Sequence, residues 1–371
     1  GAGPAAVASR PFFSRLFSLC ATMAMWRAPL LGSTLALALA LAGAAAEAAS
    51  VEGDLLIDSA VAAAADDECS PAADGSGCAL SALQHAGRAL RTNSTTERRL
   101  TIVNGCASQP MWIAHIVMGR VGPDPQDLKL DPGASHAFIT AEGDKGLVAT
   151  RFWPKLGCDA AGNNCAIGDS GGPGEGCVIR SPGGDDYSHC APPVDSKFEA
   201  SFAPPDAPSR DTVDMSLVDG YSVPFKLEVK GDCTRLQLPF KDMDCKDLSL
   251  RECPTAEMLN GKPMNLKAVN PTTGKVAGCY SPCMKLTDDK WGTPVADGPL
   301  APKAAPYCCA GTHGTPEVCK AGPVMNTKYL QRVHTSCPAA YGYAYDDISA
   351  TIVCSSTTLY TVTFLCPDVP L

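Results

Sequence analysis

From Leu100 onward, short runs of β-branched and aromatic residues are broken at close intervals by Gly, Pro and Asp. Leu100 to Val103, Met111 to Val117, Ala137 to Thr140, Leu147 to Trp153, Thr212 to Val218 and Lys226 to Val229 all have strand length and strand composition. Ala350 to Val353 and Tyr360 to Leu365 return to that character, whereas the stretch from Cys245 to Cys337 is loop-rich and dense in proline and cysteine. The pattern predicts a mainly β fold, a β-sandwich or barrel, with a separate bridged lobe at about residues 245–337. Roughly 270 residues, 100–371, lie within the range of a single β domain.

The first hundred residues read differently. Arg27 precedes an apolar run from Ala28 through Leu41 to Ala46, followed by small residues at Ala44-Ala45-Ala46 or Ala46-Glu47-Ala48 that suit signal-peptidase cleavage. Residues 1–48 are therefore expected to be a leader with a signal peptide, and the protein to be secreted with no stable membrane span after cleavage. The alternatives are a vacuolar destination or anchoring by an uncleaved leader. Alanine supplies much of the run and Pro29 stands at its start, which argues against a span. Residues 49–99 form an acidic, alanine-rich prosegment or linker in which Cys69 and Cys78 can close a small loop. Asn93-Ser94-Thr95 is a glycosylation sequon. Arg98-Arg99, just before the first strand run, reads as a solvated charge pair, with proteolytic release there as the other possibility.

Cysteine usage narrows the class. Sixteen of the 19 cysteines lie between Cys106 and Cys366, a density that suits a disulfide framework formed in an oxidising compartment. No CxxC or HxxxH spacing occurs, so no metal site and no cofactor are expected. A formal net charge of -9, without a basic stripe, argues against nucleic acid and leaves neutral or cationic ligands.

Gly168-Asp169-Ser170-Gly171-Gly172-Pro173 has the form of a serine-protease nucleophile motif. Such a serine needs a histidine base in an Ala-Ala-His-Cys context, and none of His85, His115 and His136 has it. His115 instead reads as a histidine on a β-strand, and the protease reading is rejected.

A longer series decides the family. Thr101-Ile102-Val103-Asn104-Gly105-Cys106, Arg151-Phe152-Trp153, Gly168-Asp169-Ser170-Gly171-Gly172, Asp214-Met215-Ser216-Leu217-Val218-Asp219-Gly220-Tyr221, Tyr307-Cys308-Cys309 and Cys337 through Tyr345-Asp346-Asp347 occur in this order. The chain resembles the thaumatin-like proteins (osmotin, pathogenesis-related group 5) over about residues 100–367. The resemblance implies an antiparallel β-sandwich with a disulfide-rich loop lobe and a smaller bridged loop domain. It implies bridges joining Cys106 to Cys366, Cys158 to Cys165, Cys233 to Cys354, Cys245 to Cys337, Cys253 to Cys279, Cys283 to Cys308 and Cys309 to Cys319. Ser170 stands where the family usually has cysteine. Cys177 thereby loses its customary partner, and the extra Cys190 is expected to replace it.

The resemblance also implies an acidic cleft between sandwich and lobe, with Arg151, Glu199, Asp214, Asp219 and Asp347 as its members. Asp214 and Asp219 are five apart and would face opposite sides of a plain strand, so a turn at Asp219-Gly220 is expected to redirect the second. The function implied is that of a monomeric carbohydrate-binding protein, most readily for β-1,3-glucan, in a defence or cell-wall role. The alternatives are a weak endo-β-1,3-glucanase with Glu199 as acid and Asp214 as its partner, and a structural or inhibitor protein acting through the enlarged lobe. The long loops at 254–278 and 284–307 weaken any transfer of ligand specificity.

Overall fold

The computed structural model describes residues 96–182, 184–205, 207–235, 241–288 and 297–371. The leader, the spacer up to residue 95 with Cys69 and Cys78, and the Asn93 sequon lie outside the described residues.

Two sheets face one another. The larger has seven strands in the order Cys233–Thr234, Ile352–Ser355, Arg210–Ser216, Lys197–Ser201, Thr150–Leu156, Met111–Val117, Leu128–Leu130. The smaller has five: Met243–Cys245, Phe225–Lys230, Leu359–Phe364, Leu100–Asn104, Ser135–Phe138. All their pairings are antiparallel except that of Leu100–Asn104 with Leu359–Phe364, which lie parallel. A parallel pair needs a long connection. Here nearly the whole domain supplies it, and the Cys106–Cys366 bridge ties the two strand ends together.

The core follows from two-residue alternation. Leu100 and Ile102 of the small sheet, and Ile113, Phe152, Phe198, Val213 and Met215 of the large one, point between the sheets and are buried. Phe138, Phe152, Phe198, Phe202 and Tyr360 form a chain of ring contacts with centroids 5.1–6.5 Å apart. His115 belongs to this inner face, stacked on Phe152 at 5.6 Å, with neither ring nitrogen hydrogen-bonded. Met111–Val117 is buried along its whole length because protein covers its outer face as well, which explains an apolar run without polar alternation.

The lobe, formed by residues 246–350 together with Gly220–Tyr221, contains a three-stranded sheet (Gly220–Tyr221, Val276–Tyr280, Lys267–Val269), a small hairpin (Glu257–Leu259, Lys262–Met264) and short helices. Its longest helix, Lys328–Ser336, starts where the Thr327 hydroxyl accepts from the Leu330 amide. Its Tyr329 hydroxyl donates to the Leu217 carbonyl at 2.5 Å and ties the lobe to the end of the large sheet. Among the described residues eight disulfides are present: the seven pairs implied by the resemblance, and Cys177 with Cys190. Among the described residues no helix is long and apolar enough to cross a membrane.

Three expectations need correction. Arg99 is not solvated: its guanidinium is buried against Asp211, which also accepts from the Tyr360 hydroxyl at 2.8 Å and the Ala203 amide at 2.7 Å. A charge pair 112 residues apart in sequence cannot be foreseen from either side alone. The strand expected from Leu147 begins at Thr150, because Ala149 takes a left-handed conformation (φ 49°). Ala350, expected in a strand, ends the short helix Asp347–Ala350.

Candidate binding cleft on the outer sheet face

The register of the large sheet builds the site. Arg151 is the direct cross-strand partner of Glu199, and Glu199 that of Asp214, so three charged residues form one row across three adjacent strands. Their neighbours Phe152, Phe198, Val213 and Met215 fill the core, so alternation sends this row to the opposite, outer face. Arg151 Nε donates to Glu199 Oε1 at 2.6 Å, with both side chains about a quarter exposed (22% and 27%).

Asp219 and Asp347 reach the same face from the lobe. Beyond Ser216 the chain leaves the sheet, and Gly220, at φ 151°, pairs with Tyr280; a Cβ there would lie 2.3 Å from the Cys279 carbonyl oxygen. This glycine allows the redirection expected at Asp219-Gly220. Asp219 Oδ2 accepts from Lys197 Nζ at 2.5 Å. Asp347 arrives on the returning Cys337–Asp347 segment, which is tied to the sheet by Tyr341 N to Met215 O at 2.9 Å and Leu217 N to Tyr341 O at 2.8 Å. The Tyr341 hydroxyl donates to Asp347 Oδ1 at 2.8 Å. The five residues named from the sequence thus converge on one face.

Lys197 is a member that sequence reasoning missed. It sits two residues before Glu199 on the same strand and therefore on the same face, and the Lys-Phe-Glu alternation carried that signal. With Arg151 it gives the cleft two cations, so the site is a mixed-charge cleft more than an acidic one.

The carboxyl groups differ in state. Burial pushes Asp214 well above the usual carboxylate range, and Glu199 and Asp347 push the same way against Arg151. Its Oδ1 is buried without a hydrogen-bond partner. For Asp219, burial alone acts upward, but Lys197 and Arg151 outweigh it and hold the group below the usual range. Asp195, also unforeseen, is fully buried, and burial raises it to about 6 against the pull of Lys197 and of its bond from Ser170. Ser170 Oγ donates to Asp195 Oδ2 at 2.5 Å. The hydroxyl of the protease-like motif thus donates its hydrogen bond to a carboxylate in a sheet-covering loop, an arrangement without the imidazole of a Ser-His-Asp triad.

The Thaumatin family model matches residues 104–367, well over half of the chain. The chain belongs to the thaumatin family. Relatives with this family's fold signature include "Pathogenesis-related protein 5" of Arabidopsis thaliana, 32% identical over 277 residues that cover 72% of this chain and 89% of that one. "Pathogenesis-related thaumatin-like protein 3.5" of Cryptomeria japonica is 30% identical over 282 residues, 72% of this chain and 89% of the relative. A "Glucan endo-1,3-beta-glucosidase" of Prunus avium is 32% identical over 227 residues, 58% and 71% of the two chains. This thaumatin-family member closes its Cys177 on Cys190.

Proposed function

We propose that the protein is a secreted polysaccharide-binding member of the thaumatin family that takes β-1,3-glucan along the row Arg151, Glu199, Asp214, with Asp219, Asp347 and Lys197 at its sides, in a defence or cell-wall role. The observation that carries this reading is the in-register row itself. Carboxylates beside cations on an open face carry a desolvation and repulsion cost that a purely structural surface avoids. Asp214 Oδ1, buried without a partner, provides an acceptor for a ligand hydroxyl. Alternating donors and acceptors suit sugar hydroxyls, each of which donates and accepts. The choice of β-1,3-glucan draws support from the relative named as a glucan endo-1,3-beta-glucosidase.

The test is a pull-down on insoluble β-1,3-glucan with reducing-sugar release measured in parallel. Wild type is expected in the pellet, and Glu199→Gln in the supernatant with an unchanged melting temperature. Wild type left in the supernatant, or Glu199→Gln pelleting equally, defeats the reading.

One observation favours a second reading, hydrolysis in the same cleft. Burial drives Asp214 upward, the direction a proton donor needs, while its cross-strand neighbour Glu199 is ion-paired with Arg151, so the two carboxyl groups stand in different surroundings. The roles are then the reverse of those expected from the sequence, with Asp214 as proton donor and Glu199 as nucleophile or base. Sugar release by wild type, abolished in Asp214→Asn, would establish this reading.

A further inference from the structure

Beyond Arg151, on the side away from Asp214, the loops around Gly171 and Val194 close over the outer face and form a small pocket. Arg151, Trp153, Ser170, Pro193, Asp195 and Lys197 line it. Ser170 and Asp195 are each only 2% exposed, yet both belong to the lining. A carboxylate is not kept in so dry a place without a partner to offset its lost hydration. Ser170 supplies one bond to Oδ2 and, having donated its proton, keeps lone pairs that can only accept. Lys197 commits two of its three N–H bonds, to Pro193 O at 3.0 Å and to Asp219 Oδ2 at 2.5 Å. Cationic donors and a buried acceptor pair thus stand together over an apolar floor of Trp153 and Ile116. A short apolar stem ending in a hydroxyl, which both donates and accepts, matches that pattern.

Cys177 bonds Cys190, and a Cβ built on Gly171 would lie 2.6 Å from Cys190 Sγ, so the bridge packs directly behind the pocket wall. Position 170 carries a hydroxyl that faces Asp195. We propose that the Ser170–Asp195 pocket is a subsite for the exocyclic hydroxymethyl group of a hexopyranose, so that the cleft selects hexose over pentose polymers. The proposal rests on the polysaccharide reading above and adds the identity of the sugar.

Calorimetric titration with the β-1,3-linked glucose hexamer and the β-1,3-linked xylose hexamer, which share a linkage and differ by the hydroxymethyl group, tests it. Wild type is expected to bind the glucose hexamer roughly tenfold or more tightly, since a site built to hydrogen-bond a hydroxyl rejects the analogue that lacks it. Ser170→Ala and Asp195→Asn are each expected to bring that ratio close to one by weakening the glucose hexamer alone. Melting temperature and the Cys177–Cys190 peptide monitor folding, and the wild-type ratio requires no variant. Equal affinity of wild type for both hexamers, or a full ratio retained in both variants, overturns the subsite and leaves the cleft reading standing. Wild type that binds neither hexamer overturns both.

Discussion

One strand, Thr150–Leu156, carries a cation at each end of its outer face, and the two have opposite surroundings. Arg151 is partly exposed and paired with Glu199 at the cleft. Lys155, four residues on and so on the same face, has no exposed surface; it donates to Asp127 at 2.7 Å and to the fully buried Glu175, which also accepts from Gln126 Nε2 at 2.7 Å. Burial raises Glu175 to about 7 against the pull of Lys155. Segments around 127 and 175 thus seal one end of the face and close Lys155 upon Asp127 and Glu175. The other end stays open and leaves acceptors unused. Periodicity places both cations alike, and the cover decides whether a charge fastens the fold or meets a ligand.

The largest expected effect would break that comparison at its buried end. Lys155→Met leaves two carboxyl groups buried without their cation and should cost about 3–5 kcal/mol in urea unfolding. Arg151→Met, at the open end, should cost no more than about 1 kcal/mol while removing glucan binding. Similar losses for the two variants would show that cover does not separate their roles.

The next effect tests burial without any partner. His115 is only 1% exposed, and burial lowers it to about 4, with Asp124 acting weakly against the shift. Its folded pKa lies below the usual 6.5, so the unfolded chain binds more protons between these values, and stability is lost as pH falls from 6.5 towards 4. The loss amounts to about 3 kcal/mol. Glu175 has the opposite sign: raised towards 7, it removes stability as pH rises from about 4.5. His115→Phe should abolish the acid-side loss in urea melts at about pH 4.5, 5.5 and 6.5. A variant as acid-sensitive as wild type would assign the loss to other groups.

The smallest effect sharpens the comparison within the cleft. Burial already favours the neutral form of Asp214, so Asp214→Asn should change stability by less than about 1 kcal/mol. Asp219 partners a nearly buried Lys197, so Asp219→Asn should cost about 1–3 kcal/mol. Thermal melts of the two single variants separate these outcomes, and equal melting temperatures would show that the Lys197 pair adds nothing.

Much of this architecture is legible in the order and spacing of residues. Strand runs such as Met111–Val117 are visible because strands covered on both faces stay apolar, and the ordered motifs name the residues of the cleft. Lys197 is legible in principle, since alternation with Glu199 puts it on the same face. Asp195 and the burial of Arg99 are not, because each depends on a partner from a distant segment: Ser170 for one, Asp211 for the other.

By itself the sequence determined the β class, the cysteine framework and, through the period of two, which side chains share a face, because these are properties of local spacing and composition. Tertiary structure alone decided that Arg99 is buried on Asp211, that Lys155 is sealed while Arg151 stays open, and that burial pushes Asp214 upward beside an ion-paired Glu199. Ion-pair partner, protonation and exposure depend on what distant segments bring within a few ångströms, and local spacing carries no record of that.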